Sequence, residues 1–172
     1  MLVIDTTVRH DATDGKFGER RAECQRAAHE LGLESLRDLH HVPLQLGMLK
    51  QLSEESLRRR ARHVYSDNDR VILVKEQLSG TGPAHERFVA LGQALSRSHA
   101  SLDADFEVSC PELNLAVMAA SHAGALGACL TGGGFGGSAI ALVRRTLAER
   151  VAQSVAQAFH DGSFAAPRFM LV

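Results

Sequence analysis

The sequence has no tryptophan, one tyrosine and only seven phenylalanines in 172 residues. A core so poor in large rings must be built from Leu, Val and Ala, which favours helices over an aromatic-rich β-sandwich. Cysteine is also scarce. Cys24, Cys110 and Cys129 are odd in number and far apart, which argues against a disulfide framework and fits a reducing compartment. No CxxC pair occurs, and Ala28-His29-Glu30 and Ala84-His85-Glu86 both lack the second His of an HExxH zinc site. Neither sign of charge dominates: 19 Lys and Arg face 20 Asp and Glu, a formal net charge of −1, without the basic footprint of a protein that coats nucleic acid. No run approaches the roughly 18 apolar residues of a membrane span, and Leu2-Val3-Ile4 is too short for the apolar core of a signal peptide. The expectation is one soluble, cytoplasmic domain with neither a nucleic-acid nor a membrane partner.

What is present has a clear order. Leu2 to Val8 is short, apolar and β-branched and predicts a strand ending near Arg9. Asp14 can cap a helix carrying Phe17, Cys24, Ala28 and Leu31 on one face, with Gly32 ending it in a left-handed turn. Pro43 and Gly47 break Leu33 to Leu52 into short helical pieces. Ser53 is a candidate N-cap for a helix with Leu57, Ala61 and Val64 on one side, and Ser66-Asp67-Asn68-Asp69 suggests a break or a fresh cap. Ser79-Gly80-Thr81-Gly82-Pro83 reads as a linker, and Ala84, Phe88, Leu91 and Leu95 mark the next helix. Pro111 suits the first turn of a helix lined by Leu113, Val117 and Ala120 and ended by Gly124. Leu126 to Thr131 and Ser138 to Val143 read as strands around a glycine hairpin, 126–143 in all. Leu147, Val151, Val155 and Ala158 define a last helix, and Arg168 to Val172 a last strand.

Without the extra helices, the order is β-α-β-β-α-β. This is the split βαβ, or ferredoxin-like, α+β arrangement: an antiparallel sheet with helices on one face. The inserted helical region, about 17–101, is an elaboration whose size suggests that it faces another domain.

Seven of the fifteen glycines lie between Gly124 and Gly137. Glycine lets successive N–H groups converge on an anion and lets backbone approach a ligand. Gly132, Gly134 and Gly137 match G-x-G-x-x-G, but a strand follows where a dinucleotide site needs a helix. No Lys precedes Ser138, as a Walker A loop requires, and the Val and strand Lys of a protein-kinase loop are missing. A hairpin whose glycines only permit tight packing is the plain alternative.

Leu130-Thr131-Gly132-Gly133-Gly134-Phe135-Gly136-Gly137, followed by an apolar strand, resembles the third motif of the galactokinases, members of the GHMP small-molecule kinases. Ile4 to His10 before Glu19-Arg20-Arg21, Arg60-Ala61-Arg62-His63-Val64, Ser98 to Leu102 and Asp105 to Glu112 agree with that family, in its order. The resemblance covers nearly the whole chain but only the second half of the family. The sugar-binding Gly-Glu-His-Asp type of motif, the Gly/Ser-rich loop around the ATP phosphates and the aspartate base are all absent.

The resemblance implies a GHMP C-terminal domain over 1–172. It also implies, for a complete enzyme, ATP-dependent phosphorylation of galactose at C1 with Mg²⁺. No catalytic residue and no metal ligand is then assigned within this chain, which is expected to be inactive without an N-terminal half, in cis or in trans. The loop Thr131, Gly132, Gly133, Gly134, Phe135, Gly136 and Gly137 is carried over as the substrate and phosphate-site element. Phe17 takes the place of a sugar-facing Tyr, with the ring but without the hydroxyl, and Arg9 is a candidate on the phosphate side. A non-catalytic sugar- or nucleotide-binding module derived from a galactokinase is the alternative. Arg58 to Arg62 reads as a solvated or inter-domain helix face, Cys110 as an incidental thiol, and His40, His41 and His99 as lacking any metal-ligand pattern.

Overall fold

The computed structural model describes residues 1–9, 15–41 and 46–172. In chain order it contains β1 (Leu2–Asp5), α1 (Lys16–Glu30), a 3₁₀ segment (Leu36–His41), α2 (Leu46–Leu49), α3 (Glu55–Ser79), α4 (Ala84–Ala104) and α5 (Pro111–His122). Then follow β2 (Gly127–Thr131), β3 (Ser138–Leu142), a 3₁₀ turn (Arg145–Leu147), α6 (Ala148–Asp161) and β4 (Arg168–Leu171). The four strands form one antiparallel sheet in the order β2-β3-β1-β4, the expected ferredoxin-like arrangement.

The register explains the core. Leu2 and Ile4 lie opposite Ala141 and Ala139, which lie opposite Ala128 and Leu130, so these six side chains share one face. All are buried, and they pack against Leu113, Ala116, Val117 and Ala120 of α5 and Val151, Val155 and Phe159 of α6. Alanine on both sides of this contact lets α5 lie close to the sheet, while Phe159 supplies the bulk. α1, the 3₁₀ segment, α2 and the first turns of α3 have a core of their own: Ala27, Ala28, Leu36, Leu39, Leu49, Leu52, Leu57 and Ala61.

β2 is an edge strand, and α4 seals it. The Leu130 N–H donates to Nδ1 of the buried His99 at 3.3 Å. Gly92 and Gly127 bring the two backbones together, since a Cβ on Gly127 would lie 1.8 Å from the Gly92 carbonyl oxygen. A covered edge cannot recruit another strand.

Several expectations hold, among them Pro111 in the first turn of α5, the 79–83 linker between α3 and α4, and Gly32 ending α1. Gly32 has φ +69°, and the bonds from Gly32 N–H to His29 and from Leu33 N–H to Ala28 form a Schellman end. Others are corrected. Asp14 and Pro43 lie outside the described residues, and Gly15 stands at the α1 N-cap. Ser53 does not cap α3; its N–H and hydroxyl both donate to Glu30. Ser66 to Asp69 does not break α3: Ser66 donates to the His63 carbonyl of the same helix, and Asp67 takes bonds from Arg70 and Ser98 on its flank. The α4 stripe is misread too: Gly92, Ala94, His99 and Ser101 are buried while Phe88 is exposed. β1 stops at Asp5, because Thr7 takes φ +62° and turns the chain toward the glycine hairpin.

Candidate functional site

The six residues Gly132 to Gly137 join β2 to β3, and five of them have positive φ: Gly132, Gly134, Phe135, Gly136 and Gly137. Glycine is required at Gly134, where a Cβ would come within 2.2 Å of the Val108 carbonyl oxygen, and at Gly136, where it would meet Val8 Cγ1 at 2.8 Å. Phe135 holds φ +60° with a side chain, and its N–H donates to the Val108 carbonyl at 2.6 Å.

The other leg is pinned by the segment after β1. The buried Thr6 donates both its N–H (2.9 Å) and its hydroxyl (2.7 Å) to the Gly137 carbonyl, and the Gly137 N–H donates to Val8 at 2.9 Å. With both legs fixed, the tip faces an open groove of about 410 Å³ lined by Val8, Arg9, Thr131 to Gly134 and Gly136 to Ser138. Among the described residues, no backbone carbonyl takes the N–H of Gly132, Gly133, Gly134 or Gly136. Unpaired N–H groups on alternating backbone form a concavity suited to an anion.

The three parts singled out in the sequence come together. The Phe17 ring, 60% exposed, lies against Gly133, 3.7 Å from the place of a Cβ there. Lys16 Nζ sits 5.6 Å from the centre of the Phe135 ring. Arg9 reaches the groove from the other side, its guanidinium forked on Asp5 at 2.9 and 3.0 Å. That guanidinium, with the Thr7 N–H, holds the Asp5 carboxyl down at about 2. The described residues lining the groove include no carboxylate and no imidazole. No group of three or more His, Cys, Asp or Glu among the described residues could hold a metal ion.

Arg60 departs from the solvated or inter-domain face expected of Arg58 to Arg62. Arg60 is 1% exposed and donates to Glu23 (2.7 Å), Glu107 (2.6 Å) and the Asp105 carbonyl, while Arg59 and Arg62 donate to Glu107 and Asp105. Sequence reasoning missed these residues because four arginines in five positions look alike until the helix is seated. Cys110 is pushed up by burial, in keeping with an inert thiol.

The result is a ferredoxin-like sheet with inserted helices and a glycine hairpin that opens on a groove of about 410 Å³. Residues 83–161 match the family model "GHMP kinases C terminal". Within that family its relatives are galactokinases. It is 43% identical over 168 residues to the galactokinase of Streptomyces coelicolor, covering 98% of this chain and 42% of that protein. It is 36% identical over 161 residues to the galactokinase of Bos taurus, covering 93% and 39%. The crystal structure of Lactococcus lactis galactokinase complexed with galactose superposes with a TM-score of 0.85 at 29% identity, covering 98% of this chain and 43% of that one. The crystal structure of L. major mevalonate kinase in complex with R-mevalonate shares the fold alone, with a TM-score of 0.53 at 18% identity. The chain thus spans about two fifths of the length of these relatives. No described helix is long and apolar enough to cross a membrane.

Proposed function

We propose that residues 1–172 form the C-terminal domain of a galactose kinase, with the helical region of about 17–101 inserted, and that they supply the hairpin side of its cleft. The supporting observation is the glycine hairpin, fixed on both legs, with four N–H groups that have no backbone acceptor among the described residues, in glycines that line a groove. Such a hairpin suits phosphoryl transfer, which depends on alignment and charge neutralisation more than on covalent chemistry. When bound, ATP with Mg²⁺ would supply the phosphoryl group for the galactose C1 hydroxyl.

The residues here divide between what they can and cannot hold. The N–H groups of Gly132, Gly133, Gly134 and Gly136 fit phosphate oxygens, and Arg9 adds a positive charge beside them. Phe17 offers an apolar ring face to a sugar. With no carboxylate or imidazole on the described groove wall, the hydroxyl proton must be taken by a group from the missing N-terminal half, and Mg²⁺ must be held by the nucleotide and that half. The chain alone is therefore inactive, and its partner is that half, in cis or in trans. Three free thiols support a cytoplasmic setting.

The test is ATP-dependent galactose phosphorylation by the isolated chain, expected to stay at background; robust turnover would refute the division of labour. Addition of a separately made N-terminal half should restore phosphorylation. The alternative, a non-catalytic sugar- or nucleotide-binding module, is favoured by the missing Phe17 hydroxyl. It predicts calorimetric binding of galactose or ATP to the chain by itself, without turnover after complementation.

A further inference from the structure

Arg60 has the largest fully buried side chain of the described residues, yet it does not line the groove. A buried guanidinium persists only when its donors are taken up by charged or carbonyl partners. Its partners come from two directions: Glu23 on α1, and Asp105 with Glu107 on the turn between α4 and α5. Arg59 adds a bond to Glu107 at 2.8 Å, and Arg20 of α1 approaches the same carboxylate at 3.4 Å. Three guanidinium groups thus converge on Glu107.

Glu107 has φ +56°, a conformation that a residue with a side chain keeps only where its surroundings over-determine it. The next residue, Val108, gives its carbonyl to the Phe135 N–H and occupies the space where a Cβ on Gly134 would fall. Two left-handed turns, at Glu107 and at Phe135, therefore face one another across a single backbone bond. The first is held by directional charged bonds, and the second is the tip of the hairpin. An apolar side chain would fill the Arg60 seam as well, but only a forked donor fixes the direction of a strained turn.

We infer that Arg60, acting through Glu107, is a positioning residue for the glycine hairpin: it sets the turn that aims the Val108 carbonyl at Phe135 and so orients the unpaired N–H groups over the groove. The functional consequence rests on the phosphate-site reading above; the structural link does not.

Residue-resolved amide hydrogen exchange on the full chain tests it, with Arg60→Lys, which keeps the charge and loses the fork, and Glu107→Gln. The Phe135 amide should exchange about tenfold faster or more in both variants, one hydrogen bond's worth of protection. The Gly137 amide, bonded to Val8 on the other leg, and the β3 amides should keep theirs. Acceleration at all amides together, or none at Phe135, would overturn the inference. If Arg60→Lys does not fold, Glu107→Gly decides: it removes the carboxylate while relieving the backbone, and retained protection at Phe135 would again overturn it. Titration of the unaltered chain with ATP and Mg²⁺, followed at the Gly132 to Gly136 amides, tests the phosphate-site reading separately. Unmoved resonances there would retire that reading while the Phe135 exchange still decided the role of Arg60.

Discussion

The sheet and the helical insert are held by opposite chemistry. The sheet side is an apolar layer in which Leu2, Ile4, Val151, Val155 and Phe159 meet small residues, with almost every side chain a hydrocarbon. The insert has a smaller apolar core and, besides the α4 seal on β2, meets the turn before α5 through charge: Arg60 and its neighbours grip Asp105 and Glu107, while Arg60 also holds Glu23 of α1. Apolar contact is strong but indifferent to direction, whereas forked hydrogen bonds are directional and modest in net energy. The glycine hairpin is attached to both: it grows from the sheet, and its tip is set by the charged seam.

This contrast gives a graded set of expectations. Phe159→Ala should have the largest effect, about 4 kcal/mol of stability by chemical denaturation, because a fully buried ring leaves a cavity between α6 and the sheet. Arg60→Met should cost about 3 kcal/mol, since Glu23 and Glu107 lose their buried partner; a neutral or stabilising result would mean that the seam tolerates apolar filling. Gly92→Ala should cost about 2 kcal/mol, because the new Cβ would sit 2.2 Å from the Leu126 carbonyl oxygen and must push α4 off the β2 edge. Arg9→Ala should leave stability almost unchanged, as befits an exposed ion pair, while weakening any ATP binding seen by calorimetry.

Acid should act on the seam and on the sheet edge together. Burial pushes both His63, 2.9 Å from the Ser101 hydroxyl and stacked on Phe106, and His99 below the ordinary value of 6.5. The folded chain therefore takes up protons on these rings only at lower pH than the unfolded chain does, and as pH falls through about 6.5 the unfolded chain binds more protons and stability declines. Above that value these two groups add no slope. Thermal midpoints between pH 5 and 8 should show the fall only on the acid side; a flat profile would mean that the rings are not held neutral.

Much of the fold was legible because local rules and the global fold agree. The order of strands, the α5 start at Pro111 and the α6 stripe of Val151 and Val155 follow from periodicity and turn chemistry. The hairpin was equally visible, since no other use explains glycine at Gly132, Gly133, Gly134, Gly136 and Gly137 in succession. Three of the misreadings share one cause. Ser53, Ser66 to Asp69 and Arg58 to Arg62 are polar, and polar side chains were assigned to caps, breaks or solvent. Their partners, Glu30, Ser98 and Glu107, are 23 to 48 residues away along the chain.

The sequence by itself determined the helix and strand order, the glycine hairpin and the family resemblance, because these depend on neighbours along the chain. Tertiary structure alone decided that Arg60 is buried, that α4 seals β2 through Gly92 and Gly127, that Arg9 lines the hairpin groove and that Phe17 lies against Gly133. A hydrogen bond or a close backbone contact is a relation between distant residues, and no local pattern carries the distance between them.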